Sequence, residues 1–257
     1  TKDFLLNEKE LNSTVFEKAE GFFAKNLHNL DFSGIDVFNI AGCANNTQAG
    51  YSMGAFGVIG EVKYTSGDST VPVFSADYIN IPDNHKYYVK KGDHSELSSG
   101  NGVRELILGI LTNDIPANTG KVSTDSSFCE FEGKEMLWRS PVEVHIYDGQ
   151  NSHTGPSENN SIEYGIPGVG YDIIGEEKFI FLPTDEGQVY NIHAKGQADS
   201  TFDLLIKNNH NGEIGETKVF NDVDITLQTL IDFEISGSSL DNSLRMDAEG
   251  NGNVNIV

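Results

Sequence analysis

From residue 135 onward, short apolar segments alternate with turns, and this rhythm limits the possible fold more than any other feature of the chain. Val142, Val144 and Ile146 alternate with polar residues, which is the period-two pattern of a strand with one buried face. Further strand candidates follow at residues 178–182, 189–194, 201–206, 223–227, 230–235 and 244–248. Turn residues separate them and no helical periodicity intervenes. The second half is therefore predicted to be an all-β sandwich.

The first half mixes helix and strand signals. Thr14 and Glu17 have the spacing of a capping box, and apolar residues recur at helical steps over residues 15–30. The segments 35–41, 61–64 and 85–89 are typical of strands, and residues 103–111 of a helix that ends near Pro116. This order predicts the edge of an α/β sheet.

A polar stretch without periodicity, residues 117–125, is a candidate linker between the two halves. The sequence therefore predicts two domains, the C-terminal portion of an α/β domain over 1–118 and a β-sandwich accessory domain over 119–257.

The charge balance excludes some partners. Seventeen basic residues stand against thirty-nine acidic ones, a formal net charge of −22, which repels a phosphate backbone or an anionic membrane surface. No apolar run reaches the roughly 20 residues that a membrane-spanning helix needs. We expect no nucleic-acid partner and no transmembrane segment. Such acidity is typical of a secreted or salt-adapted protein, so a secreted or cell-surface location is expected.

Cysteine and histidine spacing indicates no metal site. Cys43 and Cys129 could pair, but the sequence leaves this open, and they lack zinc-ligand spacing. Four histidines also lack ligand spacing: His145, His153, His193 and His210. Residues 247–252 resemble the start of a calcium loop, but an acidic turn explains them better.

Asp68 and His94 are the candidate catalytic residues. Asp68 follows a predicted strand, and His94 lies 26 residues later, after the next strand and before a helix. A triad needs a carboxylate on one loop to orient an imidazole on another, and the acid precedes the histidine in α/β-hydrolases. The alternative is structural, because loop aspartates often cap turns and single histidines often lie on surfaces.

Three segments resemble one known group of enzymes. They are Phe-Asn-Ile-Ala-Gly-Cys at 38–43, Gly-Asp-Ser-Thr-Val-Pro at 67–72, and His94. Together they resemble the C-terminal part of lipases and lecithin–cholesterol acyltransferase-like enzymes of the α/β-hydrolase superfamily, over about residues 10 to 115. The resemblance implies a serine hydrolase that acts on an ester or lipid substrate. It implies no cofactor. It implies Asp68 as the triad acid and His94 as the base.

Ser52 is the nucleophile that a motif search suggests, because Gly50-Tyr-Ser-Met-Gly54 fits Gly-x-Ser-x-Gly. A nucleophile elbow needs a strand that leads directly into the serine and a helix that leaves it, and neither is predicted here. Only fifteen residues separate Ser52 from Asp68, where the hydrolase fold needs roughly fifty.

The chain begins at Thr1 without an initiator methionine or signal segment. We therefore expect an inactive C-terminal fragment, whose serine lies upstream or on a complementing N-terminal chain.

A second function remains open. Segments at 140–148, 153–156, 165–168 and 181–183 resemble β-sandwich modules attached to some secreted bacterial hydrolases. Such modules serve as carrier or surface-binding domains. The alternative to an esterase is thus a non-catalytic surface or glycan-binding protein that acts through its β-sandwich. The sequence leaves open the acyl and alcohol groups, hydrolase versus acyltransferase activity, the sandwich ligand and the oligomeric state.

Overall fold

The protein is predominantly β. A computed structural model describes residues 12–23, 30–53, 59–100, 102–115, 120–139, 141–159, 161–184, 187–237 and 243–256. Of these residues, 49% lie in strands and 16% in helices, and most of the sheets are antiparallel. The predicted α/β class is wrong, and so is the assignment to the α/β-hydrolase superfamily. Within the described residues, parallel pairing is limited to β1 (Asn39–Cys43) and β4 (Lys86–Lys90), which cannot form the core of a parallel sheet.

Three α-helices and seventeen strands are described. The helices are α1 (Ser13–Phe23), α2 (Val73–Ala76) and α3 (Val103–Thr112), and short 3-10 turns cover Asp83–His85, Leu97–Ser99 and Ser126–Cys129. The other strands of the first half are β2 (Asn45–Met53), β3 (Ile59–Gly67) and β5 (Val122–Ser123). Those of the second half are β6 (Glu132–Arg139), β7 (Val142–Asp148), β8 (His153–Pro156), β9 (Ile162–Tyr164), β10 (Gly170–Ile174), β11 (Glu177–Pro183), β12 (Val189–Gly196), β13 (Ser200–His210), β14 (Glu213–Ile225), β15 (Leu230–Ser236), β16 (Arg245–Asp247) and β17 (Asn255–Ile256).

Helix α1 begins with a cap different from the predicted one. Its first turn is held by Oδ1 of Asn12, which accepts hydrogen bonds from the backbone N–H groups of Thr14 and Val15. The predicted helical pattern continues to residue 30; residues 24–29 lie outside the described part, and Leu30 is not helical. No helix in the described ranges is both long and apolar enough to cross a membrane.

The first half contains two small sheets. Strands β1, β4 and β5 form one sheet in that order, and β2 and β3 form an antiparallel hairpin. The predicted strands at 35–41, 61–64 and 85–89 overlap β1, β3 and β4. Strand β2 was not predicted, since its Asn-, Gln- and Gly-rich sequence carries no apolar alternation. Strand β5 lies within the predicted linker.

The second half is a β-sandwich-like pair of sheets. One has the order β10-β11-β6-β13-β14 and the other β17-β16-β15-β12-β7-β8-β9. Their facing side chains form the largest core, in which Trp138 packs on Phe202 and Phe233 at ring-centroid distances of 5.4 and 6.1 Å. The predicted alternation over 142–146 is confirmed, because Val142, Val144 and Ile146 are buried while the residues between them are partly exposed.

The two halves share contacts. A disulfide joins Cys43 at the end of β1 to Cys129 before β6, which answers the question the sequence left open. The hairpin packs on the five-stranded sheet, where the hydroxyl of Tyr64 donates a hydrogen bond to Asp172 at 3.2 Å. Burial is the main cause of the raised pKa of Tyr64, which keeps this hydroxyl protonated. The division near residue 118 stays a prediction.

Candidate active site

Asp68 and His94 lie on two loops that meet at the carboxyl ends of β1 and β4. Asp68 follows β3 directly, and His94 follows β4 after a short turn. The first residue of β2 pairs with Gly67, so the hairpin places Asp68 beside the carboxyl end of β1. Strand β4 runs parallel to β1 and ends at the same edge. The backbone N–H of His94 donates to the carbonyl oxygen of Asp68 at 2.9 Å, which ties the two loops together.

The side chains of this pair have the geometry of an oriented imidazole. Nδ1 of His94 lies 2.8 Å from Oδ2 of Asp68. Because an ionised carboxylate can only accept, Nδ1 carries the hydrogen and Nε2 of a neutral ring has a free lone pair. The Asp68 side chain is only 6% exposed, whereas that of His94 is 53% exposed. A buried acid thus orients a base that is open to solvent.

The other oxygen of Asp68 organises its own loop. Oδ1 accepts hydrogen bonds from the backbone N–H groups of Thr70 at 3.0 Å and Val71 at 2.6 Å. The hydroxyl oxygen of Thr47 accepts one from the backbone N–H of Ser69, which has a left-handed φ of 74°. These bonds satisfy a buried carboxylate whose desolvation would otherwise be costly. Asp68 therefore has both the role of turn cap and that of imidazole partner.

Gly42 allows the two loops to approach. A Cβ atom at this position would lie 2.5 Å from the carbonyl oxygen of Gly92 and 2.7 Å from Cβ of Asp68. Both separations are too short for real contacts, so only glycine permits this spacing. The sequence shows a glycine directly after the predicted strand at 35–41. It does not show that the Asp68 and Gly92 loops pack against this glycine.

A cleft of about 440 Å³ opens beside the pair. Its walls are largely apolar, with Asp68, His94 and Ser98 as the polar lining groups. The remaining lining residues are Ile40, Ala41, Val71, Ala76, Leu97, Val103 and Ile107. A mainly apolar cleft with a few convergent polar groups is the usual form of a small-molecule site.

Asp93 adds negative charge next to the base. Its pKa is lowered chiefly by the hydroxyl of Ser95, which donates to Oδ1 at 2.7 Å, and also by the backbone N–H of the same residue. Asp93 is therefore ionised at neutral pH and places a negative charge on the residue next to His94.

Ser52 does not join the pair. It lies within β2 and pairs with Glu61 of β3, at the end of the hairpin away from Asp68. It lies five positions along β2 from Thr47, whose hydroxyl contacts the Asp68 loop, and this corresponds to roughly 16 Å along a strand. The extended backbone also differs from the strand-to-helix turn of a nucleophile elbow. Among the described side chains, none hydrogen-bonds Nε2 of His94.

Comparisons with known protein families, curated proteins and solved structures give no match for this chain.

Proposed function

We propose that Asp68 and His94 are the acid and base of a serine ester hydrolase site, whose nucleophile comes from outside the described residues. The 2.8 Å contact between Nδ1 of His94 and the buried Asp68 carboxylate carries this proposal. A surface histidine needs no buried carboxylate behind it, whereas a catalytic base gains a fixed tautomer and a stabilised imidazolium from one.

The chemistry would proceed in two stages. Nε2 of His94 takes the proton of a serine hydroxyl as its oxygen attacks the ester carbonyl carbon. The tetrahedral intermediate then expels the alcohol, which receives that proton from His94. Water or a second alcohol, activated in the same way, releases the acyl group. The apolar cleft beside His94 suits the acyl chain of an ester or lipid.

A complementing N-terminal chain is one source of the serine. Within the described ranges, β1 pairs only with β4 and presents an edge. Exposed apolar side chains lie in the segment before β1 and on α3, including Ile35 at 65%, Leu108 at 61% and Leu111 at 78% exposure. An edge strand with apolar neighbours is a template for another chain.

The second candidate is a non-catalytic surface or glycan-binding protein. The all-β architecture supports this role better than it supports a self-contained esterase. A polar groove of about 520 Å³ on the seven-stranded sheet is its candidate binding surface. Side chains in the groove offer amide, imidazole, carboxylate and guanidinium groups to hydroxyl-rich ligands: Asn191, His193, Asp232, Glu234 and Arg245.

The Cys43–Cys129 disulfide bears on location. Disulfides persist in oxidising compartments and are rare in the cytosol. We therefore propose a secreted or cell-surface protein.

Hydrolysis of p-nitrophenyl esters tests the first candidate. Without its serine the chain should not hydrolyse unactivated esters, but an oriented imidazole still accelerates activated esters with water as the nucleophile. His94→Gln is expected to lower the rate by about 10²-fold, the contribution of a positioned base. His210→Gln is the matched control, because His210 is also exposed and contacts a carboxylate, Glu132, at 3.1 Å. Equal rates for wild type and both variants would reject the acid–base pair.

Glycan-array binding that is lost in Asp232→Asn would support the second candidate.

A further inference from the structure

The outer face of the seven-stranded sheet carries a row of hydrogen-bonded imidazoles and carboxylates. His145 on β7 and His153 on β8 contact each other through Nδ1 and Nε2 at 2.9 Å. Nε2 of His145 lies 3.1 Å from Oε1 of Glu143, and Nδ1 of His153 lies 2.7 Å from Oε2 of Glu163. The row thus runs from carboxylate to imidazole to imidazole to carboxylate, across β7, β8 and β9.

The three contacts of this row can all be hydrogen bonds at once only if the row holds one additional proton. Each carboxylate needs an N–H from its imidazole, which uses the one ring hydrogen of each neutral histidine. Two neutral rings would then point two lone pairs at each other at 2.9 Å. The central contact becomes a hydrogen bond only when one further proton lies between Nδ1 of His145 and Nε2 of His153. The complete row is a carboxylate–imidazolium–imidazole–carboxylate chain.

The geometry selects a proton rather than a metal ion for the central position. The ring centroids are 5.1 Å apart, close to the largest separation that a 2.9 Å nitrogen–nitrogen distance permits, so the two nitrogens face each other head-on. A metal ion needs about 2.0–2.1 Å to each nitrogen and would have to lie off this line, away from the lone pairs. In the described part of the chain, no three His, Cys, Asp or Glu side chains form a metal-binding group.

Gly155 provides the space for this contact. A Cβ there would lie 2.9 Å from the carbonyl oxygen of Val144 and 3.1 Å from Nε2 of His153. The ring of His153 therefore lies above Gly155, and the missing side chain there lets it contact His145. Its other face meets the ring of Tyr147, at a centroid distance of 4.9 Å.

Other charged groups face the row from the neighbouring strands. On β12, His193 lies opposite His145 and Lys195 lies opposite Glu143. On β15, Asp232 hydrogen-bonds Nδ1 of His193. His193 thus has a carboxylate partner of its own, separate from the two carboxylates of the row.

We propose that His145 and His153 form a pH-sensitive clasp that fastens the β8–β9 edge of the sheet. A second added proton would place an N–H on both facing nitrogens, and the central hydrogen bond would become a repulsion between two imidazolium ions. The ladder between β7 and β8 has only two register pairs, Ile146 with Thr154 and Tyr147 with His153. Because this ladder is short, repulsion within the clasp should open the edge in acid. The inference is independent of the proposed hydrolase function.

Two measurements on the full-length wild-type chain test the clasp. Nitrogen-15 NMR is expected to show His145 and His153 titrating as one coupled pair in two steps. Hydrogen exchange of the β8–β9 amides, corrected for the intrinsic rate, follows the opening equilibrium. If opening takes up one proton, this equilibrium rises by up to about tenfold for each pH unit between the pH at which the open hairpin binds its second proton and the lower second step of the closed clasp, and it levels off below that step. Independent single-step titrations, pH-independent protection, or a spectrum that changes on adding EDTA would overturn the proposal.

Variants separate the clasp from general acid sensitivity. His153→Gln is expected to abolish the acid-induced opening of β8–β9. Glu163→Gln removes only the anion, so the row should lose its shared proton at lower pH than in wild type while the hairpin stays paired. His210→Gln, on the other sheet, is the control and should leave the opening unchanged. Acid-induced opening that persists in both clasp variants would contradict the proposal.

Discussion

Nδ1 of His94 lies 2.8 Å from Oδ2 of Asp68, and the acid is buried whereas the base is half exposed. The same carboxylate caps its own turn through the backbone N–H groups of Thr70 and Val71. The position of the base is thus coupled to the conformation of the Asp68 loop.

This relationship predicts the tautomer of His94. In wild type, the neutral ring should carry its hydrogen on Nδ1. Asp68→Asn can turn its amide NH₂ toward Nδ1, which must then accept, so the hydrogen moves to Nε2. Nitrogen-15 chemical shifts of the His94 ring at neutral pH check this exchange of roles. An unchanged tautomer in the variant would show that Asp68 does not determine the state of His94.

Gly42→Ala should destabilise the fold and separate the loops. The new methyl group would overlap the carbonyl oxygen of Gly92 and Cβ of Asp68. Overpacking of this kind costs about 1–3 kcal/mol in the free energy of unfolding, measured by urea denaturation. Gly149→Ala is the control, because no atom lies within 4 Å of a Cβ there. Equal stability of the two variants would contradict the close approach at Gly42.

Removing the disulfide should weaken the first half. The bond joins residues separated by 86 positions, and a closed loop of this size contributes roughly 4–5 kcal/mol in the chain-entropy model. The Cys43→Ser, Cys129→Ser double variant should lose about 2–4 kcal/mol relative to the oxidised wild type. A reductant should abolish the difference. Two reactive thiols in unfolded, unreduced wild type would show that the bond does not form.

The titration of Glu135 should make the free energy of unfolding fall as pH rises. Burial raises the pKa of this carboxyl, although the amide of Asn209 at 2.6 Å and nearby Lys207 oppose the shift. The folded state therefore holds the proton to higher pH than the unfolded state does. The resulting contribution is present below the ordinary carboxyl range and is lost as pH rises through the raised pKa.

Glu135→Gln tests that sign. The neutral amide removes the titration but can still accept the hydrogen bond from Asn209. Urea unfolding at about pH 4 to 7, the range that covers ordinary and raised carboxyl pKa values, should show a smaller decline in stability for the variant than for wild type. Glu158→Gln, on an exposed turn, should follow wild type. Parallel curves for wild type and Glu135→Gln would exclude a titrating role for this residue.

Much of the second half could be predicted because its signal is local. Alternation at Val142, Val144 and Ile146 indicates one buried face regardless of the partner strands, and the other strand candidates in this half overlap observed strands. The fold class of the first half could not be predicted in this way. Short segments that resembled an α/β-hydrolase contain correct local elements. However, β2 and β3 pair with each other as a hairpin, and the described residues form no extended parallel sheet.

By itself, the sequence determined the local elements, the acidity, and the two loops that carry Asp68 and His94. Tertiary structure alone decided which residues meet. Examples are the Cys43–Cys129 pair, the close approach at Gly42, and the contact between His145 and His153. The physical reason is range: periodicity and turn chemistry act over a few residues, whereas register and loop packing depend on distant segments.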